Sequence, residues 1–221
     1  MSFIVGIDGP AGSGKGTVTK KVANKLGLIN IDTGITYRCV ALEVLNENIS
    51  LKDKEKIIEI AKNIKIQIEN TPNGDIVYLN GKDVTKEIRS KEVTNSVSPI
   101  SSIKEVRFEM VELQRKLAEG KNVIMEGRDI CTYVFPNADV KIYLDASIEE
   151  RAKRRHKENQ EKGIDMAYEE VYESIKKRDE NDKIKEIGAL KLAEDSVIVD
   201  TTSLTIDEVV DKIIEIIEEK M

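Results

Sequence analysis

Residues 3–17 read Phe-Ile-Val-Gly-Ile-Asp-Gly-Pro-Ala-Gly-Ser-Gly-Lys-Gly-Thr, a short apolar run that passes through Asp8 into a glycine-rich turn. The spacing from Gly9 to Gly14-Lys15 fits G-x-x-x-x-G-K, in which glycines let successive backbone N–H groups turn inward around an anion. A helix that follows adds the partial positive charge of its N-terminus. Gly9, Pro10, Ala11, Gly12, Ser13, Gly14, Lys15, Gly16 and Thr17 are therefore expected to cradle the phosphates of a nucleoside triphosphate, with Lys15 reaching the β- and γ-phosphates. Gly16 stands where the general motif has Ser or Thr, and the hydroxyl falls one residue later, at Thr17. A turn that bound nothing would not need strand, lysine and helix in this order.

The chain has 221 residues, enough for one domain with small inserted lobes. Lys+Arg 35 against Asp+Glu 41 gives a formal charge of -6, so no overall basic field exists to hold long nucleic acid. The two cysteines, Cys39 and Cys131, lie far apart without metal-ligand spacing, which predicts reduced thiols in a cytoplasmic protein. The segment Phe3 to Ile7 is too short to span a membrane, and no membrane association is expected. A monomer is expected, and no residue is assigned to a metal.

Strand and helix signals alternate along the chain, which predicts an α/β fold with a parallel sheet flanked by helices. A helix is expected from Lys15 to Leu26, stopped by Gly27; an apolar segment from Leu28 to Ile31; and a second helix from about Ile35 to Leu45. Val123 to Met125, Val140 to Leu144 and Val197 to Val199 read as further strands, and Thr205 with Glu208 as a capping box. Between Ile64 and Asp83 the pattern changes. Ile64 to Ile68 alternates, Asn73-Gly74 and Asn80-Gly81 are turn pairs, and Ile76 to Leu79 runs extended, so an antiparallel meander is expected as an inserted lobe.

In open parallel sheets ligands meet the carboxyl ends of the strands. There the sequence places Asp32-Thr33-Gly34 leading to Arg38, and Glu126-Gly127-Arg128-Asp129. Two guanidinium forks suit an acceptor phosphate that must approach ATP against charge repulsion. In Glu149 to Lys157, the densest basic cluster, Arg151 and Arg155 share a helical face with Arg154 beside them. We read this segment as a short helical lid that sets cations against the transferring phosphoryl group, with Gly163 as its flexible end. The only histidine, His156, is expected to be exposed and not catalytic. Arg178 and Asp182 lie four apart on one face of the next helix.

The loop form G-x-x-G-x-G-K-G-T resembles that of nucleoside monophosphate kinases of the adenylate kinase type. The blocks G-P-A-G-S-G-K-G-T, D-T-G-I-T-Y-R, G-R-D, V-F-P-N-A-D-V-K-I-Y-L-D-A-S and K-K-R-D-E-N-D resemble the bacterial cytidylate kinases, in that family's order and from Phe3 to the final helix. The resemblance implies a P-loop three-layer fold whose meander is the monophosphate-binding lobe. It implies one domain over residues 1–221: a core of 1–60, 100–145 and 185–221, a lobe of 61–99, and a lid with its following helix over 146–184. It implies transfer of the γ-phosphoryl group of ATP to CMP or dCMP in pyrimidine nucleotide metabolism, with Mg²⁺ bound alongside ATP. Under it, Lys15, Arg128, Arg178, Arg151 and Arg155 are catalytic. Thr33, Arg38, Ser98, Arg107, Arg128, Asp129, Arg178 and Asp182 bind CMP: Arg38, Arg128 and Arg178 at the phosphate, Asp182 with Arg178 at the sugar, Ser98, Arg107 and Asp129 at the base. Where the family carries another arginine after this motif, this chain has Lys183 and Lys185.

The base assignment agrees with cytosine's chemistry. Its exocyclic amino group donates beside a ring nitrogen and a carbonyl that both accept, so a carboxylate suits the first and Arg or Ser the others. Uracil reverses the first two properties and would set a carbonyl against Asp129. No general base is required, since an acceptor phosphate oxygen needs alignment and charge neutralisation more than proton removal. Kinases of UMP, AMP or shikimate are weaker readings. A slow nucleotide-hydrolysing switch is weaker still, for the chain has neither an N-K-x-D motif nor a D-x-x-G strand end.

Overall fold

The computed structural model describes residues 2–71, 74–161 and 163–221. Contacts divide the chain into two compact units, one of residues 1–31 and 120–221, the other of residues 32–119.

The first unit is built on a five-stranded sheet. Its strands are β1 (Ile4–Asp8), β2 (Ile29–Asp32), β6 (Val123–Gly127), β7 (Val140–Asp145) and β8 (Val197–Asp200), in the order β2-β6-β1-β7-β8. Strand β1 pairs in parallel with β6 on one side and β7 on the other, and β7 pairs in parallel with β8. The central strands read as unbroken apolar runs because helices cover both faces. Every residue of β6 is buried, and so are Val5 to Asp8 of β1. Helix α1 (Lys15–Leu26) stops where Gly27 turns left-handed, and its apolar face, Val18, Val22 and Ala23, meets Val209, Val210, Ile213 and Ile217 of α8 (Ile206–Glu218) in one core. Lys21–Asp207 and Lys25–Asp211 ion pairs rim that contact. Thr205 and Glu208 form the expected capping box. Helices α6 (Ile148–Glu161) and α7 (Tyr168–Lys183) pack together through Ala152, Val171 and Ile175. His156 lies on α6 with its ring edge-on to Tyr168, 6.1 Å between centroids, so it is half-buried and not exposed as its charged neighbours suggested.

The second unit surrounds α2 (Gly34–Asn46), a helix apolar on almost every side. Helices α3 (Lys54–Asn63), α4 (Lys91–Ile100) and α5 (Lys104–Ala118) and the meander β3 (Ile66–Thr71), β4 (Gly74–Leu79), β5 (Lys82–Asp83) share one core with it. The meander is antiparallel, with Ile66 opposite Leu79. Asn80 and Gly81 turn at φ 52 and 83, as a two-residue hairpin of this hand requires. The Asn73-Gly74 turn lies partly outside the described residues. Ile66, Val77 and Leu79 of the meander are buried in the core they share with α2 to α5, within the unit of residues 32–119.

The phosphate loop leaves β1 through Gly9, whose φ is 155. A Cβ there would lie 2.1 Å from the Leu144 carbonyl oxygen of β7. Gly9→Ala should therefore cost about 3 kcal/mol or more through backbone overlap, lowering the melting temperature by roughly 6 °C or more. Thermal denaturation of the purified variant checks this, and an unshifted midpoint would refute it.

Candidate active site

At the carboxyl end of β1, the chain carries a buried charge before it turns into the loop. The Asp8 carboxylate accepts from the backbone N–H groups of Ile130 and Cys131, each at 2.8 Å. Burial pushes its pKa up to about 6 against those two hydrogen bonds. The folded protein thus holds this proton more tightly than the unfolded chain does. Stability is lost as pH rises from about 4 to about 6, and the ionised group costs about 3 kcal/mol at neutral pH.

Lys15 opens α1 and is buried, its Nζ donating to the carbonyls of Gly9 at 2.7 Å and Pro10 at 2.8 Å and to the Ser13 hydroxyl at 3.1 Å. Desolvation, then the nearby Arg128, lower its pKa to about 7; Glu126 and Asp8 oppose the shift, and Arg178 adds to it. Three cations are therefore gathered around the loop. Glu126, at the end of β6, lies over Gly16: a Cβ there would be 3.1 Å from its Oε1, a tight contact with the end of a flexible side chain. Thr17, one residue on, is exposed.

A buried ion pair holds the loop's outer arm. The Arg151 guanidinium of α6 donates to the carbonyls of Ala11 and Ala146, each at 2.9 Å, and to the Asp179 carboxylate of α7. Asp179 in turn accepts from the Ala11 N–H at 3.2 Å. Both polar groups of Ala11 are thus engaged by α6 and α7, so Arg151 lies against loop backbone. Arg155 instead pairs with Glu158 at a half-exposed position, and Arg154 donates to the Thr201 carbonyl and hydroxyl. The two arginines expected to share a role have different surroundings.

Arg128 donates through Nε to Asp182 at 2.9 Å, and Asp182 also accepts from Lys185 at 2.8 Å. Desolvation would raise the Asp182 pKa, but Arg128 and then Lys185 draw it down to about 2, with Arg178 contributing. Lys185 is as buried as its partner, so Arg128, Asp182 and Lys185 form an ion triad. Asp129 follows Arg128, buried, at φ -145 and ψ 24. Arg178 is half-buried on α7.

The remaining expected residues lie in the second unit. Thr33 caps α2, its carbonyl accepting from the Thr36 N–H and hydroxyl. Arg38 donates to the Ile88 carbonyl at 2.9 Å and the Thr94 hydroxyl at 3.0 Å, the latter on α4. Ser98, half-buried, precedes Pro99 in the last turn of α4, and its carbonyl accepts from the Ser101 and Ser102 hydroxyls. Arg107 is buried, donates to the Ser101 carbonyl at 3.2 Å and lies 5.4 Å from the Tyr37 ring centroid. Ser98 and Arg107 are thereby linked through Ser101.

Sequence reasoning passed over Asp8, Glu126 and Asp179. The signal for Asp179 was available: Val171, Ile175, Asp179 and Asp182 form one buried stripe of α7, and a carboxylate on an apolar stripe calls for a cation. Asp8 and Glu126 carry the same signal on apolar strands.

Comparison with known proteins agrees with this construction. The family model for cytidylate kinase matches residues 5–219. A cytidylate kinase from Caldicellulosiruptor bescii is 50% identical over 212 residues, covering 96% of this chain and 94% of that protein. One from Bacillus subtilis is 50% identical over 216 residues, covering 98% and 96%. Among solved structures, a gluconokinase from Sinorhizobium meliloti covers 99% of this chain and 92% of its own with a TM-score of 0.51 at 13% identity, a likeness of fold. Half of the aligned residues agree along almost the full length, and the chain belongs to the cytidylate kinase family.

Proposed function

We propose that this chain is the ATP-dependent kinase of CMP and dCMP, making CDP or dCDP and ADP in pyrimidine nucleotide metabolism. The observation that carries this reading is the pair Arg128 and Arg178 acting on the buried loop lysine. Two further cations beside that lysine suit the approach of a second anionic phosphate group.

The loop amides from Gly9 to Thr17 and the α1 N-terminus hold the ATP phosphates, and Lys15 exchanges its loop carbonyls for phosphate oxygens. Arg38, Arg128 and Arg178 take the acceptor phosphate. Arg128 and Arg178 remain against the equatorial oxygens as charge spreads over them, so their contribution grows toward the transition state. Asp182 keeps Arg128 oriented and, with Arg178, meets the sugar. Ser98, Arg107 and Asp129 read the base, and Thr33 lines the monophosphate side. Arg151 serves by holding Ala11 in place. Arg155 is the lid arginine for the transferring group, since a half-exposed pair with Glu158 is weak enough to exchange.

Mg²⁺ would be held together with ATP. No cluster of three or more His, Cys, Asp or Glu side chains suited to a metal exists among the described residues. Glu126 and the Thr17 hydroxyl are the donors beside the loop, which suits an ion that keeps much of its water. Bound there, it would supply charge neutralisation for the ATP phosphates. We take the enzyme to be a single-domain, cytoplasmic monomer that holds no long nucleic acid. The buried free thiols Cys39 and Cys131 support the compartment, and among the described residues no helix is long and apolar enough to cross a membrane.

A coupled ADP-release assay with CMP, dCMP, UMP and AMP tests the proposal. CMP and dCMP should exceed the others by roughly 100-fold in kcat/KM; UMP or AMP turned over as well as CMP would sink it. Lys15→Ala should lower kcat by about 100-fold or more with an unchanged circular-dichroism spectrum, because the loop cation is lost. A folded variant with near-normal turnover would exclude the phosphate-loop mechanism. Asp129→Asn should narrow the CMP to UMP ratio of kcat/KM, since an amide can both accept and donate. An unchanged ratio would move base reading to another residue.

A further inference from the structure

Strand β6 ends at Gly127, and the chain enters an irregular turn, Ile130–Val134, two residues later. Arg128 and Asp129 lie in the gap between the ladder and that turn. Behind them, the N–H groups of Ile130 and Cys131 both point to Asp8, one to each carboxylate oxygen. Asp8 is itself 1% exposed and stands in register with Gly127 on β6 and Tyr143 on β7. The next residue is Gly9, the first of the phosphate loop. One side chain therefore ties the strand that feeds the donor loop to the segment that carries Arg128 and Asp129.

We infer that Asp8 is a positioning residue for acceptor recognition, its carboxylate setting the direction in which Arg128 and Asp129 leave β6. The inference rests on the acceptor roles given to those two residues above. A carboxylate is needed because it accepts at both oxygens, whereas an amide of the same shape would set an NH₂ group against one of the two N–H donors. Burial opposes ionisation at this position, so a charge is kept where it destabilises the fold. A displacement of Arg128 by about 1 Å is enough to change turnover by roughly 100-fold.

The test is Asp8→Asn, with steady-state titrations in each substrate. The expected result is a KM for CMP raised roughly tenfold or more together with a lower kcat, a KM for ATP within about threefold of normal, and a lower CMP to UMP ratio of kcat/KM. In Asp8→Asn with Asp129→Asn, the ratio should match that of Asp129→Asn alone, because the two changes act on one contact. Unchanged KM values, equal rises in both, or a fall in kcat alone would overturn the inference, the last being mere loss of folded enzyme. If Asp129→Asn alone leaves the ratio unchanged, base reading by Asp129 falls, and the KM for CMP in Asp8→Asn still decides the role of Asp8 through Arg128. A measurement on the unaltered protein covers the case in which Asp8→Asn does not fold. The Ile130 and Cys131 amides should exchange hydrogen as slowly as those of β6, and fast exchange at either overturns the inference.

Discussion

Lys15 lies at the carboxyl edge of a parallel sheet, buried, with its amine on three oxygens of its own loop and with Asp8, Glu126, Arg128 and Arg178 near enough to shift its proton affinity. Burying that much charge is costly unless each group has a partner. Much of the first unit can be understood as the supply of those partners. Asp8 is held by two amides, Arg128 by Asp182, and Asp182 by Lys185 as well.

The same requirement gives α6 and α7 their place. Arg151 and Asp179 are buried, and each bonds to Ala11 as well as to the other. Removing either would leave an unpaired charge, which is costlier than the pair is worth. The pair fixes the loop's outer arm, while Arg155, on the same helix, stays half-exposed and able to change partners. A helix described by composition alone as a basic lid thus contains one arginine buried against the loop and one half-exposed.

In residues 32–119 the organisation is apolar. Helix α2 is covered by α3, α4, α5 and the meander, and its few polar groups are satisfied locally, as in the Gln114 amide that donates to the Thr36 hydroxyl at 3.0 Å. Arg38 and Arg107 emerge from this rigid support with their guanidinium groups set by carbonyls and, for Arg107, by the Tyr37 ring.

Local chemistry by itself determined the phosphate loop, the bounds of α1, the strands of the sheet, the Asn80-Gly81 turn and the Thr205 cap, because each depends on residues within a turn or two of one another. The family blocks likewise named Arg128, Asp129, Arg178 and Asp182. Only the tertiary structure decided who pairs with whom. The carboxylate that faces Gly16 comes from a strand more than a hundred residues away, at Glu126. The partners of Asp8, Arg151 and Asp182 are equally distant or lie on other elements, and the meander joined a larger unit because its apolar face fits the same core as α2. Periodicity reports which face of an element is buried; which charge a buried carboxylate meets there depends on the crossing of elements that the local sequence does not encode.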